Sequence, residues 1–561
     1  MTQSTESNQE PAKIRYRNHD ISVVRGTRVS QLMNDHPSPE DNTVIAAIVN
    51  HRLVSLDARI IRSGTIEPVA IRSHRGARLY QRHLTLMLYE VFGRVFTGAK
   101  IQIGQAISEG HYFKVSGIQV DDTFVDTLET ELKTLSKQKI PFEFLRVTVE
   151  EARRMFRQKG QDVKNKLLNQ WPSSHVSVVK IGSFVDFCLS PVAPHTGFFN
   201  TFKVMKLEDD TFILQFPNQC DDTTKRNEIS QPKLYATHKE AKEWSQLMGV
   251  AHVAELNSAA TSKQIKQVIQ ISEALHEKKI SNIADTVVND LNRKLVFIAG
   301  PSSSGKTTFA KRLSIQLKVL GVEPKSLSLD NYYVDREETP LGEDGKWDFE
   351  VLEAIDLERF NGDLRKILDG ETVNTPTYNF QTGQRNPADK WIPVQLGPHD
   401  VLIIEGIHGL NNALTPAISD KEKFKIYINA LNPLAIDEHN RLNTSDVRLI
   451  RRIVRDRHYR GYSAAQTINN WYSVRKGERN HIFPFQESAD VIFDTSLIYE
   501  FSVLKIFAER YLLEVPRENP AFAEAYRLRK FLSMLVTVLP GDIPQTSLMR
   551  EFIGGSSFSY K

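Results

Sequence analysis

Residues 294–308 read Lys-Leu-Val-Phe-Ile-Ala-Gly-Pro-Ser-Ser-Ser-Gly-Lys-Thr-Thr. Within them Gly300, Gly305, Lys306 and Thr307 stand at the spacing of a loop that wraps a polyphosphate. Glycines let the backbone aim several N–H groups at one anion, and the start of a helix adds partial positive charge. Lys306 is long enough to reach β- and γ-phosphates, and the Thr307 hydroxyl suits Mg²⁺. Ser302, Ser303, Ser304 and Thr308 complete the candidate nucleotide-binding set.

Two acids and a basic run extend this chemistry. Asp330 follows the strand-like Ser326-Leu-Ser-Leu, where a carboxylate at the end of a parallel strand faces the ligand crevice and can accept a proton from an attacking hydroxyl. Glu405 ends the apolar run Val401-Leu-Ile-Ile and is a candidate Mg²⁺ ligand, directly or through water. In Arg448–Gly461, Arg448, Arg452 and Arg455 share a helical face, Arg451 lies close to it, and Arg460 sits in the turn before Gly461. So much positive charge is not expected to face a core. Over the phosphates it would neutralise transition-state charge.

The elements that must hold these residues are legible. Leu295–Ala299 is apolar enough for a buried parallel strand, and Phe309, Leu313 and Leu317 follow at helical spacing. Strand, Gly-rich turn, helix and strand recur over 291–515, which predicts α/β architecture with a parallel sheet flanked by helices. Upstream we expect a polar disordered tail over 1–12 and a β-rich module over 13–72. An α+β unit follows over 73–235, then a helical connector over 236–290. A C-terminal extension over 516–561 opens on a Pro-containing turn, Pro516 to Pro520, continues in a helix at 521–539 and ends near a Gly-Gly turn, expected to dock on the preceding domain. A chain of 561 residues is too long for one core.

Composition excludes several classes. A net charge of +4 supports neither a nucleic-acid coat nor a polybasic anchor. Two cysteines, Cys188 and Cys220, make no disulfide framework and fit a reducing compartment. The N-terminus lacks a secretory pattern and no run is long enough to span a membrane, so a soluble cytoplasmic protein is expected.

Several ordered segments resemble the uridine kinase branch of the uridine kinase and phosphoribulokinase family. They are Gly300–Thr308, Ser328–Tyr333, Trp347–Glu350, Pro376–Phe380 with Arg385, Val401–Gly406 and Arg451–Gly461. The resemblance implies ATP and Mg²⁺, with Asp330 as general base for a ribose 5′-hydroxyl and as a neighbour of the metal, completed by Thr307 and Glu405. It implies catalytic roles for Lys306 and for lid arginines Arg452, Arg455 and Arg460. Asp348 matches the acid that holds ribose hydroxyls, Tyr378 the aromatic beside the base, and Arg385 belongs to the substrate-binding segment. Asn379 and Gly383 depart from the family pattern where an acid and a base-reading His are expected. The expected reaction is phosphorylation of a nucleoside, uridine or cytidine first. The alternatives are a sugar phosphate, as in phosphoribulokinases, or a tRNA-associated regulatory NTPase. The resemblance also implies a homo-oligomer.

Residues 13–72 resemble the TGS β-grasp module found beside threonyl-tRNA synthetases, on the stretch Ala46–Asp57. Residues 73–235 resemble the editing domain of those enzymes, on Ile103–Phe113 and Gly182–Pro191. That domain's His-x-x-x-His and Cys-x-x-x-His pairs survive only as His83 and Cys188, with Leu79 and Val192 in the other places. Half a ligand set does not close a zinc site. We therefore expect binding of RNA or a small molecule, or a structural role, rather than hydrolysis.

Overall fold

The computed structural model describes residues 11–107, 109–217, 231–290, 292–342, 345, 347–379 and 382–560. Cys220 and residues 1–10 lie outside the described residues. Ala12, assigned to the tail from sequence, is instead the first residue of a strand and is fully buried.

The N-terminal module is a five-stranded mixed sheet in the order His19–Val23, Ala12–Tyr16, Gly64–Ala70, Val44–Val49, Arg52–Val54. Alternate residues Ala12, Ile14 and Tyr16 point inward beneath Val29, Leu32 and Met33 of the helix Val29–Asp35. The next unit begins on Ser73, whose hydroxyl accepts the Gly76 N–H at 3.0 Å and caps the helix His74–Val95. That helix packs against a four-stranded antiparallel sheet containing Lys100–Ile107 and Gly110–Ser116, and against the helix Asp122–Lys137. A second, three-stranded sheet pairs Glu143–Thr148, His175–Ile181 and Phe184–Phe187.

Five parallel strands form the central sheet of the C-terminal half. Their order is Pro324–Ser328, Val401–Glu405, Leu295–Ala299, Lys423–Asn429, Val491–Asp494. The strands are apolar because helices cover both faces. Leu295, Phe297, Leu402 and Ile404 face Phe360 and Leu364 of the helix Leu357–Leu368. Val296, Ile298, Ile403 and Ile426 face Phe309, Leu313 and Leu317 of the helix Lys306–Val319.

The region read as a connector joins this layer. In the helix Gln264–Val288, Ile280, Ile283, Ala284 and Val287 pack in the same core, and Glu277 pairs with Arg312 at 2.6 Å. The expected join at 235 falls inside the helix Pro232–Leu247. The C-terminal helix is shorter than expected, Phe522–Leu532. Asn257 bonds the backbone just beyond it, to Met534 O and from Val536 N at 2.8 Å each, satisfying backbone groups of the non-helical chain there.

The halves are joined by buried polar contacts. Lys164 Nζ, fully buried, lies 2.9 Å from Asp186 and 3.6 Å from Asp437, with His439 Nδ1 at 2.6 Å. Asp186 also pairs with Arg82 at 2.9 Å. Asp186, Asp437 and His439 cluster as cation ligands would, and the Lys164 ammonium supplies the cation. Among the described residues no helix is long and apolar enough to cross a membrane.

Candidate active site

The strand Leu295–Ala299 delivers the chain into the loop 300–305. A Cβ at Gly300 would lie 2.0 Å from Ile428 O, so only glycine leaves room for the neighbouring strand. Ser303 and Gly305 take φ of 59° and 91°, reversing the chain before the helix Lys306–Val319. The Ser303 and Ser304 hydroxyls are buried and have no partner among the described residues. Orphaned donors at a helix N-terminus fit an anion whose oxygens accept from them.

Lys306 Nζ donates to Gly300 O at 2.9 Å and Pro301 O at 3.3 Å. Desolvation lowers its pKa, opposed by Glu405, Asp330 and Glu551. Thr307 Oγ1 donates to the Glu405 carboxylate at 3.3 Å. Burial, then Asp330, pushes Glu405 up to about 7. Asp330 stands beyond its strand, which ends at Ser328, in the 3₁₀ turn Leu329–Tyr332. Burial raises its pKa, opposed by Lys306, Arg460 and Arg455, so all three cations act on this carboxylate. Thr307, Glu405 and Asp330 offer oxygen donors alone, the chemistry that a hard dication such as Mg²⁺ takes.

The arginine helix corrects the expectation that it avoids the core. In Thr444–Tyr459, Arg448 and Arg451 are almost wholly buried. Arg448 pairs with buried Glu478 and donates to Ser302 O at 3.1 Å, bracing the phosphate loop from behind. Arg451 pairs with buried Glu500 at 2.7 Å and donates to Thr495 O at 2.9 Å. Each charge is tolerated because an acid from another helix meets it.

Arg452, Arg455 and Arg460 do converge on the cleft. Asp456 holds them at 3.3, 2.9 and 3.8 Å, and Arg452 donates to Ser302 Oγ at 2.7 Å. Desolvation and the neighbouring Arg455 lower Arg460 to about 10. Sequence reading named these three arginines and missed Asp456, the acid within their own run.

On the acceptor side, Asp348 accepts the Glu350 N–H at 3.0 Å and so closes its own turn. Glu350, unassigned from sequence, stands in the field of Lys306, Arg452 and Glu478, and burial followed by repulsion from Glu478 pushes it up to about 7. Both acids occur in Trp347–Glu350, and spacing alone does not choose between them. Tyr378 is buried with its ring 5.8 Å from that of Tyr333. The Arg385 guanidinium pairs with Asp356 at 2.8 Å, and its backbone N–H donates to Asp335 Oδ1 at 3.0 Å.

In the N-terminal half, both nitrogens of His83 are engaged: Nδ1 with Leu79 O at 2.7 Å, and Nε2 accepting from Ala193 N at 2.9 Å. Burial lowers it to about 4. Phe142 and Phe199 pack on its ring. The Cys188 thiol is buried and donates to Ser190 O at 3.0 Å.

Comparison with known proteins follows the same division. A model described as the Phosphoribulokinase / Uridine kinase family matches residues 295–498. A uridine kinase of Staphylococcus haemolyticus (strain JCSC1435) is 30% identical over 202 residues, spanning 36% of this chain and 87% of that protein. A threonine–tRNA ligase of Oleidesulfovibrio alaskensis is 32% identical over 168 residues of the N-terminal region, 29% of this chain. The match spans only 26% of that ligase's length. A solved structure described as a possible uridine kinase from Bacillus stearothermophilus is 21% identical, covering 39% of this chain and 98% of that one, with a TM-score of 0.26.

Proposed function

The chain belongs to the phosphoribulokinase / uridine kinase family, and from that premise we propose that it moves the γ-phosphate of ATP to the 5′-hydroxyl of a nucleoside, uridine or cytidine first. The observation that carries this reading is the convergence on one cleft of Lys306, the Thr307–Glu405 pair, Asp330 and an arginine trio braced by Asp456.

The chain's own groups divide the work. The loop N–H groups with Ser303 and Ser304 hold phosphate oxygens, while Lys306 leaves its carbonyl contacts to reach the β- and γ-phosphates. Asp330 accepts the proton of the attacking hydroxyl, and its raised pKa makes it a stronger base than an exposed carboxylate. Arg452, Arg455 and Arg460 neutralise charge on the transferred group and exclude water. Thr307, Glu405 and Asp330 would hold Mg²⁺, which when bound neutralises charge on the phosphates. Glu350 is proposed in place of Asp348 as the acid that accepts from ribose hydroxyls, and Tyr378 lies beside the base. The sugar-phosphate alternative is less supported, because Arg385, a cation available for a second phosphate, is paired with Asp356.

For the N-terminal half we propose a binding role towards RNA or a small molecule, with no hydrolysis, since His83 and Cys188 are committed to packing and backbone contacts.

The test is ADP release with a panel of uridine, cytidine, adenosine and ribulose 5-phosphate. Turnover with a pyrimidine nucleoside, falling about a hundredfold or more in Asp330→Asn with ATP affinity retained, is the expected result. Turnover with ribulose 5-phosphate alone, or an unaffected Asp330→Asn variant, refutes the acceptor or the base respectively.

A further inference from the structure

The C-terminal segment does more than dock. Thr308 is the third residue of the phosphate-loop helix, so its N–H has no intrahelical acceptor and belongs to the donor set that a phosphate meets. Glu551, only 9% exposed, accepts through Oε2 from Thr308 N at 3.3 Å and from Thr308 Oγ1 at 2.5 Å. The Tyr560 hydroxyl meets the same Thr308 oxygen at 2.9 Å. These partners lie more than two hundred residues apart in the chain.

The segment is built to hold this position. Leu548 lies so close to the loop that a Cβ at Gly305 would stand 2.8 Å from its side chain. Ser547 donates to buried Glu273 at 2.5 Å. Phe552 lies beneath the Arg451 guanidinium, 5.1 Å from its ring centre, and its carbonyl meets His458 Nδ1 at 3.0 Å. Gly554 and Gly555, with φ of 86° and 69°, then lead the chain on towards Tyr560. Glu551 faces the same charges as a nucleotide phosphate: Lys306 attracts it, and Glu405 repels it. A neutral side chain would satisfy Thr308 without that repulsion.

We propose that Glu551 is an internal competitor for the nucleotide, its carboxylate standing where a phosphate oxygen would accept from Thr308, so that ATP binds only when Glu551 swings away. One N–H does not serve both anions, and two anions at one donor repel. Rotation of the Glu551 side chain and release of Tyr560 suffice, with Phe552 and Ile553 left in the core. The segment therefore sets the nucleotide affinity and offers a handle through which anything that grips 554–560 raises it.

The proposal rests on the reading of the loop as an ATP site, and the experiment separates the two. Mg·ATP binding to the full chain is measured calorimetrically without acceptor, for wild type, Glu551→Gln and Glu551→Ala. If the competitor occupies about nine molecules in ten, removing it tightens the dissociation constant about tenfold. The alanine variant is expected to gain at least as much as the glutamine variant. Hydrogen exchange on the unaltered protein gives a second measurement independent of variant folding: saturating ATP should speed exchange at 554–560. ATP binding to wild type with no gain in either variant, or exchange at 554–560 unchanged by ATP, overturns the competitor and leaves the ATP site standing. No ATP binding to any of the three overturns both.

Discussion

Arg451 and Arg455 lie one turn apart on the same helix, yet they meet different surroundings. The Arg451 and Glu500 side chains are both fully buried, joined at 2.7 Å, and Arg451 also serves Thr495. Arg451→Ala leaves the Glu500 carboxylate without its charge partner in the core. Breaking such a pair from one side costs about 3–5 kcal/mol. Replacing both partners with apolar groups removes the stranded charge, so Arg451→Met with Glu500→Met is expected to return to within about 1 kcal/mol of wild type. Arg455 is partly exposed, and Asp456 keeps Arg452 when Arg455 is gone. Arg455→Ala should therefore cost less stability than Arg451→Ala, because Asp456 keeps Arg452 and Arg460 and no buried charge is stranded, while lowering turnover about 10²–10³-fold. Urea unfolding followed by near-ultraviolet circular dichroism measures the first quantity and ADP release the second. The reasoning is refuted if Arg451→Ala costs less than about 1 kcal/mol, or if the double variant is no more stable than the single one.

Other consequences follow from the same contacts. Asp456→Asn should lower turnover with little change in ATP affinity, because the three arginines lose the acid that sets their positions; a normal rate would refute that role. Glu350 has a folded pKa of about 7 against an ordinary value of 4.5. The folded state thus holds its proton more tightly, and this contribution is complete below about pH 4.5 and lost as pH rises through about 7. It amounts to roughly 3 kcal/mol, so the stability difference between Glu350→Gln and wild type should grow in the variant's favour over that window; a flat difference in urea titrations refutes it. Lys164→Met should destabilise the chain by about 3–5 kcal/mol, since Asp186 and Asp437 lose their shared cation. Unfolding at an unchanged urea midpoint would show that the joint between the halves does not depend on it.

The contiguous parts of the site were legible because their geometry is local. Gly300 to Thr308 specify a turn and a helix start by residue type within nine positions, and apolar runs of five and four residues identified the strands Leu295–Ala299 and Val401–Glu405. Tertiary structure decided whatever depended on partners brought from afar. Arg448, Arg451, Arg452 and Arg455 share one periodicity, and only Glu478 and Glu500 separate the buried pair from the two that face the cleft. Asp348 and Glu350 are two residues apart, and only folding puts one on its own turn and the other in the field of Lys306. Glu551 reaches Thr308 from the far end of the chain, a contact that no spacing encodes. The reason is physical: backbone conformation is set by neighbours in sequence, whereas the state of a charge is set by what is packed around it.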